Sequence, residues 1–154
     1  MIVLWKICKE RRRADAFTGE GARLAGGRWN ERGTSVVYVS ESLALSALET
    51  LVHIQKAHTH LACISFRIEV PDEVRVEEFP RNRLPASWRK EPPPKETMEI
   101  GTRWAEGRST AVLKVPSVII PQEYNYVLNP LHPDFHKIGK FETGPFSFDP
   151  RMWK

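Results

Sequence analysis

Between residues 61 and 70 the chain alternates: Ala62, Ile64, Phe66, Ile68 and Val70 fall on one face, and Cys63, Ser65, Arg67 and Glu69 on the other. A period of two predicts a half-buried strand, closed here by Pro71-Asp72. Residues 2–8 and 35–39 are short apolar runs that predict two more strands, with Tyr38 facing opposite to Val37 and Val39. Over 42–57 the period changes. With successive residues about 100° apart, Leu43, Leu45, Leu48, Leu51, Val52 and Ile54 share one broad apolar arc, capped by Ser40 or Ser42. Glu49 falls on the edge of that arc beside Ser46 and His53, poised between core and solvent.

The remaining elements are shorter. A second helix is predicted over 96–106, with Met98 and Trp104 as core contacts and Gly107 as its stop signal. Strands are expected at 74–79, pairing back on the preceding strand, and at 110–115, 118–120, 138–141 and 146–148. Residues 9–27 are polar and glycine-bearing and read as a loop with Phe17 as its one apolar anchor. Residues 80–96 hold five prolines and predict an extended loop. Short strands, two helices and long loops, with no internal repeat, imply an α+β fold in one domain spanning 1–154.

Composition narrows the class. The chain has 154 residues, 41% hydrophobic and 27% charged, and is expected to be a soluble globular protein. No apolar run approaches the roughly 18 residues of a membrane span, and the start is charged too soon for a signal peptide, so the cytoplasm is the expected location. Cys8 and Cys63 make no disulfide framework, and the five histidines have no metal-ligand spacing, so no metal is expected. The net charge of +4 raises nucleic acid as a partner. However, 19 acidic residues are interspersed with 23 basic ones, and only Arg11-Arg12-Arg13 forms a run.

The chemistry is concentrated in Gly26-Gly27-Arg28-Trp29-Asn30. The glycines permit a tight turn or close approach to a ligand, and Arg28 offers a planar fork for phosphate or carboxylate. Trp29 and Tyr38 offer aromatic faces, and Glu49 a helix-borne carboxylate. Together they suggest a small-molecule site. From these residues alone, a glycine turn with a surface arginine and a core tryptophan is an equally open alternative. No phosphate-binding loop, dinucleotide fingerprint or nucleophile elbow occurs.

The blocks Gly26–Asn30, Val37-Tyr38, Leu48-Glu49-Thr50-Leu51-Val52-His53, Val115-Pro116-Ser117, Asn125–Phe135 and Phe148-Asp149-Pro150-Arg151 resemble, in order, the RES domain family. The arginine, glutamate and serine that name the domain fall on Arg28, Glu49 and Ser117. Lys6 departs from the pattern, which has arginine after the first-strand tryptophan. The resemblance implies a fold similar to ADP-ribosyltransferases, with a cleft between small sheets. It also implies a toxin of a type II toxin–antitoxin pair that breaks the nicotinamide–ribose bond of NAD+, the substrate. The implied partner is a helix-turn-helix antitoxin that covers the cleft with its C-terminal part, DNA being reached only through it. On this basis Arg28, Tyr38, Glu49 and Ser117 are the expected catalytic residues, and Arg28, Trp29, Tyr38 and Asn125 the expected NAD+ contacts. Arg28 would grip the pyrophosphate, Tyr38 or Trp29 would stack on nicotinamide, and Glu49 would stabilise positive charge on the ribose, with Ser117 and Asn125 as positioners. Water, phosphate or a protein side chain are open as acceptors. A transferase acting on a specific protein is the same-fold alternative, and an RNA-cleaving or nucleic-acid-binding toxin the alternative from another class.

Overall fold

The computed structural model describes residues 1–54, 58 and 60–153. Its strands are β1 (Ile2–Lys9), β2 (Val37–Ser40), β3 (Cys63–Val70), β4 (Val76–Glu78), β5 (Val112–Pro116), β6 (Tyr124–Leu128) and β7 (Gly139–Phe146). Its α-helices are α1 (Glu20–Ala25), α2 (Leu43–Leu51) and α3 (Lys95–Gly107). The strands form one sheet in the order β4-β5-β6-β2-β1-β3-β7, antiparallel throughout except for β4 with β5. This is the expected α+β class.

The sheet is almost two sheets. β1 and β3 pair continuously from Ile2 opposite Val70 to Lys9 opposite Cys63. By contrast, β1 and β2 share one rung, Trp5 opposite Ser40. A three-strand half, β1-β3-β7, and a four-strand half, β4-β5-β6-β2, are therefore joined at a single residue pair, and the strand edges on one side of that pair are free to line a cleft.

The alternation seen in the sequence builds the core. Ile64, Phe66, Ile68 and Val70 are buried with Leu4, Val37 and Val39 on one face, each such side chain contributing roughly 1.5–3 kcal/mol. Val36, Leu113, Val115 and Val127 point the other way and pack with Trp29 and Trp104. Phe17 meets Phe66 edge-on at 5.1 Å, as its role of apolar anchor required. A third cluster, Ile7, Cys63 and Phe148, seats Leu43 and Leu51 of α2.

Several expected elements differ. Residues 9–27 are not a loop: Glu10–Asp15 form a 3₁₀ helix and Glu20–Ala25 form α1, making three α-helices rather than two. Neither buries a residue fully, so no apolar stripe announced them. α2 stops at Leu51, which leaves Val52, expected on the apolar arc, 61% exposed; residues 55–57 of the expected helix lie outside the described residues. β4 pairs in parallel with β5 instead of turning back on β3. Residues 118–120 are bends, because the Ser117 hydroxyl accepts the N–H groups of Ile119 and Ile120 and turns the chain. The two closing strands are one strand, β7, with a bulge opposite Ser65/Phe66 and Gly144 at φ +125°. In α3, Trp104 is buried and donates Nε1–H to Thr110 at 2.8 Å, whereas Met98 is only half-buried. Gly107 is the last helical residue, and Arg108 takes the left-handed cap at φ 52°.

Candidate active site

The Gly26–Asn30 turn is held from three sides. Gly26, at φ +72°, ends α1 with its N–H on Ala22 O at 2.8 Å. Gly27 is packed so closely that a Cβ there would sit 2.7 Å from Tyr38 Oη. That hydroxyl donates to Asn30 Oδ1 at 2.6 Å and accepts from Trp29 N at 3.0 Å. Asn30, fully buried, donates Nδ2–H to Ala22 O and Thr34 O at 2.8 and 3.1 Å. From behind, α3 presses on the turn, since a Cβ at Gly101 would lie 1.7 Å from Trp29 O. Burial pushes the Tyr38 phenol well above its ordinary range, so it stays neutral and serves as donor and acceptor at once.

Trp29 was expected to offer a face to a ligand. Its ring is instead a core side chain, 3% exposed and 6.4 Å from the Phe79 ring. The apolar indole gains more from burial among Val36, Trp104 and Val127 than from the cleft. The residue nonetheless borders that cleft. Arg28 is no surface arginine, because its side chain is 12% exposed. Its Nη1 donates to Trp88 O and Lys90 O at 2.9 and 2.7 Å, and its Nη2 to Glu91 Oε2 at 2.7 Å. The planar fork therefore ties down the proline-rich 85–94 segment, and its anion-facing Nη2 already holds a carboxylate.

Ser42 caps α2 by accepting from Leu45 N at 3.0 Å and so sets the helix phase that delivers Glu49. Glu49 Oε1 accepts two hydrogen bonds, from Ser117 Oγ at 2.7 Å and Asn125 Nδ2 at 2.6 Å. Its Oε2 has no donor among the described residues. Ser117 is fully buried and meets the site through its bond to Glu49. Asn125 is fixed in turn by Ser40, whose Oγ donates to Asn125 Oδ1 at 2.7 Å. Ser40 was read only as a possible cap. Period-two spacing from Tyr38 places it on the same face of β2, the one signal that pointed to the site.

These groups line a cleft of about 830 Å³ that opens where β1 and β2 part, large enough for a dinucleotide-sized ligand. Arg28, Tyr38, Glu49 and Asn125 all border it, as do Lys6 and Cys8 from β1. The Lys6 side chain has no hydrogen bond or ion pair among the described residues, and burial lowers its pKa below the usual lysine range. Burial raises the Cys8 thiol, which keeps it protonated. Arg12 pairs with Asp15 at 3.8 Å and Arg13 with Glu142 at 2.6 Å, so two of the three consecutive arginines are engaged within the fold. Among the described residues no group of three His, Cys, Asp or Glu side chains is placed to hold a metal ion, and no helix is long and apolar enough to cross a membrane.

Residues 3–149 match the RES domain family. The chain is 41% identical over 152 residues to the Prs ADP-ribosylating toxin of Sphingobium sp. (strain YBL2), covering 96% of this chain and 94% of that protein. It is 40% identical over 152 residues to Toxin Res of Yersinia enterocolitica, covering 98% and 99% respectively. Its fold is similar to a chain in the M. tuberculosis MbcT–MbcA toxin–antitoxin complex, with a TM-score of 0.73 at 17% identity over 98% of this chain and 86% of that one. The chain belongs to the RES domain family.

Proposed function

We propose that the protein is the toxin of a toxin–antitoxin pair, and an enzyme that consumes NAD+ by breaking its nicotinamide–ribose bond, with water or phosphate as acceptor. The observation that carries this reading is Glu49: a carboxylate anchored through one oxygen, the other having no partner among the described residues, on a side chain that borders a dinucleotide-sized cleft. When the C1′–N bond breaks, the electron pair leaves with nicotinamide, which becomes neutral, and positive charge grows on the ribose. A fixed carboxylate stabilises that charge without having to reorganise. The acceptor then bonds to C1′, water giving up one proton. Tyr38 supplies an aromatic edge beside the turn, and Lys6, Lys9, Arg12 and Arg28 are the cations that line the cleft and could meet the diphosphate.

A second reading, transfer of ADP-ribose to a protein, is favoured by the Sphingobium relative, named an ADP-ribosylating toxin, at 41% identity. A helix-turn-helix antitoxin closing the cleft is the partner this reading calls for. It is supported by the likeness of the fold to a chain in a toxin–antitoxin complex. DNA contact would run through that antitoxin, in the cytoplasm.

Purified protein incubated with NAD+, with and without phosphate, tests the proposal by product mass. ADP-ribose identifies hydrolysis, ADP-ribose-1″-phosphate identifies phosphorolysis, and a mass added to a protein identifies transfer. Intact NAD+ beside cleaved RNA would overturn all three.

A further inference from the structure

Ser40 occupies the joint of the molecule. It is the β2 partner in the single rung that connects the two halves of the sheet, and on its other side it stands directly opposite Asn125 of β6. Its side chain is buried, 3% exposed. A buried hydroxyl must find a partner, and this one donates to Asn125 Oδ1 at 2.7 Å. The other end of the same amide donates from Nδ2 to Glu49 Oε1 at 2.6 Å.

An asparagine amide can turn by 180°, exchanging its donor for its acceptor at little steric cost. In the turned orientation Oδ1 would face Oε1 of Glu49, oxygen against oxygen. The Glu49 carboxylate, which can only accept, excludes that state, and the Ser40 hydroxyl, donating to Oδ1, anchors the far end of the amide and holds its Nδ2 against Oε1. Ser117 cannot replace it: Ser117 reaches the same carboxylate oxygen from β5's end and does not touch the amide. With Oε1 held by Ser117 and Asn125 together, Oε2 is the oxygen left for a ligand.

We infer that Ser40 is a positioning residue for the Glu49 carboxylate, acting through the Asn125 amide that it anchors. This rests on the proposed NAD+ chemistry for its effect on turnover, but not for its structural link. The test compares wild type, Ser40→Ala, Ser40→Thr, Asn125→Ala and the Ser40→Ala/Asn125→Ala double variant. Turnover of NAD+, its KM and the side-chain amide resonances of Asn125 are followed. Loss of one such hydrogen bond should lower kcat about tenfold, with KM held within about twofold. Threonine, which keeps the hydroxyl, should restore kcat. In the Asn125→Ala background Ser40→Ala should cost nothing more, because the route runs through that amide. In Ser40→Ala the Asn125 amide protons should shift and exchange faster with solvent. Wild-type kcat together with an unmoved amide would overturn the inference, as would an equal loss in both backgrounds. If the wild-type protein leaves NAD+ intact, the functional reading fails alone, and the amide resonances still decide whether Ser40 anchors Asn125.

Discussion

Replacing Glu49 by glutamine separates the chemistry of the site from its architecture. The amide oxygen of glutamine can still accept from Ser117 Oγ and Asn125 Nδ2, the two donors that now converge on Oε1. The new NH2 then falls where Oε2 stood, so a negative acceptor becomes a neutral donor facing the cleft. The hydrogen bonds weaken from charge-assisted, about 1.5–3 kcal/mol each, to neutral, about 0.5–1.5. Each bond thus loses about 1–1.5 kcal/mol and the pair roughly 2–3, and the part-exposed setting brings this to about 1–2. At about 2–4 °C per kcal/mol for a chain of this size, Tm should fall by roughly 2–8 °C. Turnover should fall far more, on the order of 10²–10³-fold, or about 3–4 kcal/mol, the usual effect of removing one preorganised electrostatic group. NAD+ affinity should change little, because the interaction strengthens only as ribose charge develops. NAD+ turnover, a dissociation constant by calorimetry and a thermal melt on one preparation check all three. Full turnover would remove Glu49 from the mechanism, and a Tm drop beyond about 15 °C would make it a structural residue.

Two glycines of α3 should respond in opposite ways to alanine: Gly101→Ala drives a methyl into Trp29 O and should cost more than about 3 kcal/mol, while Gly107→Ala, with open space around it, should be neutral or stabilising by up to about 1, as thermal melts will show. Arg28→Lys keeps the charge but cannot bridge Trp88 O, Lys90 O and Glu91, so residues 85–94 should exchange amide hydrogens faster and KM for NAD+ should rise. Lys6→Met tests a charge that burial disfavours. Because the folded-state pKa is lowered from about 10.5, the unfolded chain binds more protons between the two values, and wild-type stability rises with pH across that window. The variant should lose this rise, be more stable near neutral pH and bind NAD+ less well; denaturant melts at several pH values and an NAD+ titration decide.

Local pattern was sufficient for the core face of β3, although Cys63 and Ser65 of its opposite face are buried too, and for the start of α2, where Ser42 carries the cap in its own side chain. It also singled out Arg28, Tyr38 and Glu49, and the family resemblance added Ser117 and Asn125, all of which the fold brings to one cleft or its supports. What it could not supply was partnership. α1 escaped notice because it buries nothing fully, and 118–120 looked like a strand because three apolar residues say nothing about a serine hydroxyl capturing their N–H groups. Trp29 and Arg28 are neighbours of similar promise in the chain, but α3 and Phe79 take the indole into the core while the 88–91 backbone takes the guanidinium. The same holds for the carboxylate at the centre of the site. Its two donors lie 68 and 76 residues away, on strands that meet it only after the sheet has closed around a single rung at Ser40. Periodicity reports which way a side chain faces along its own element; which groups meet there depends on register between distant strands, and that is set by packing.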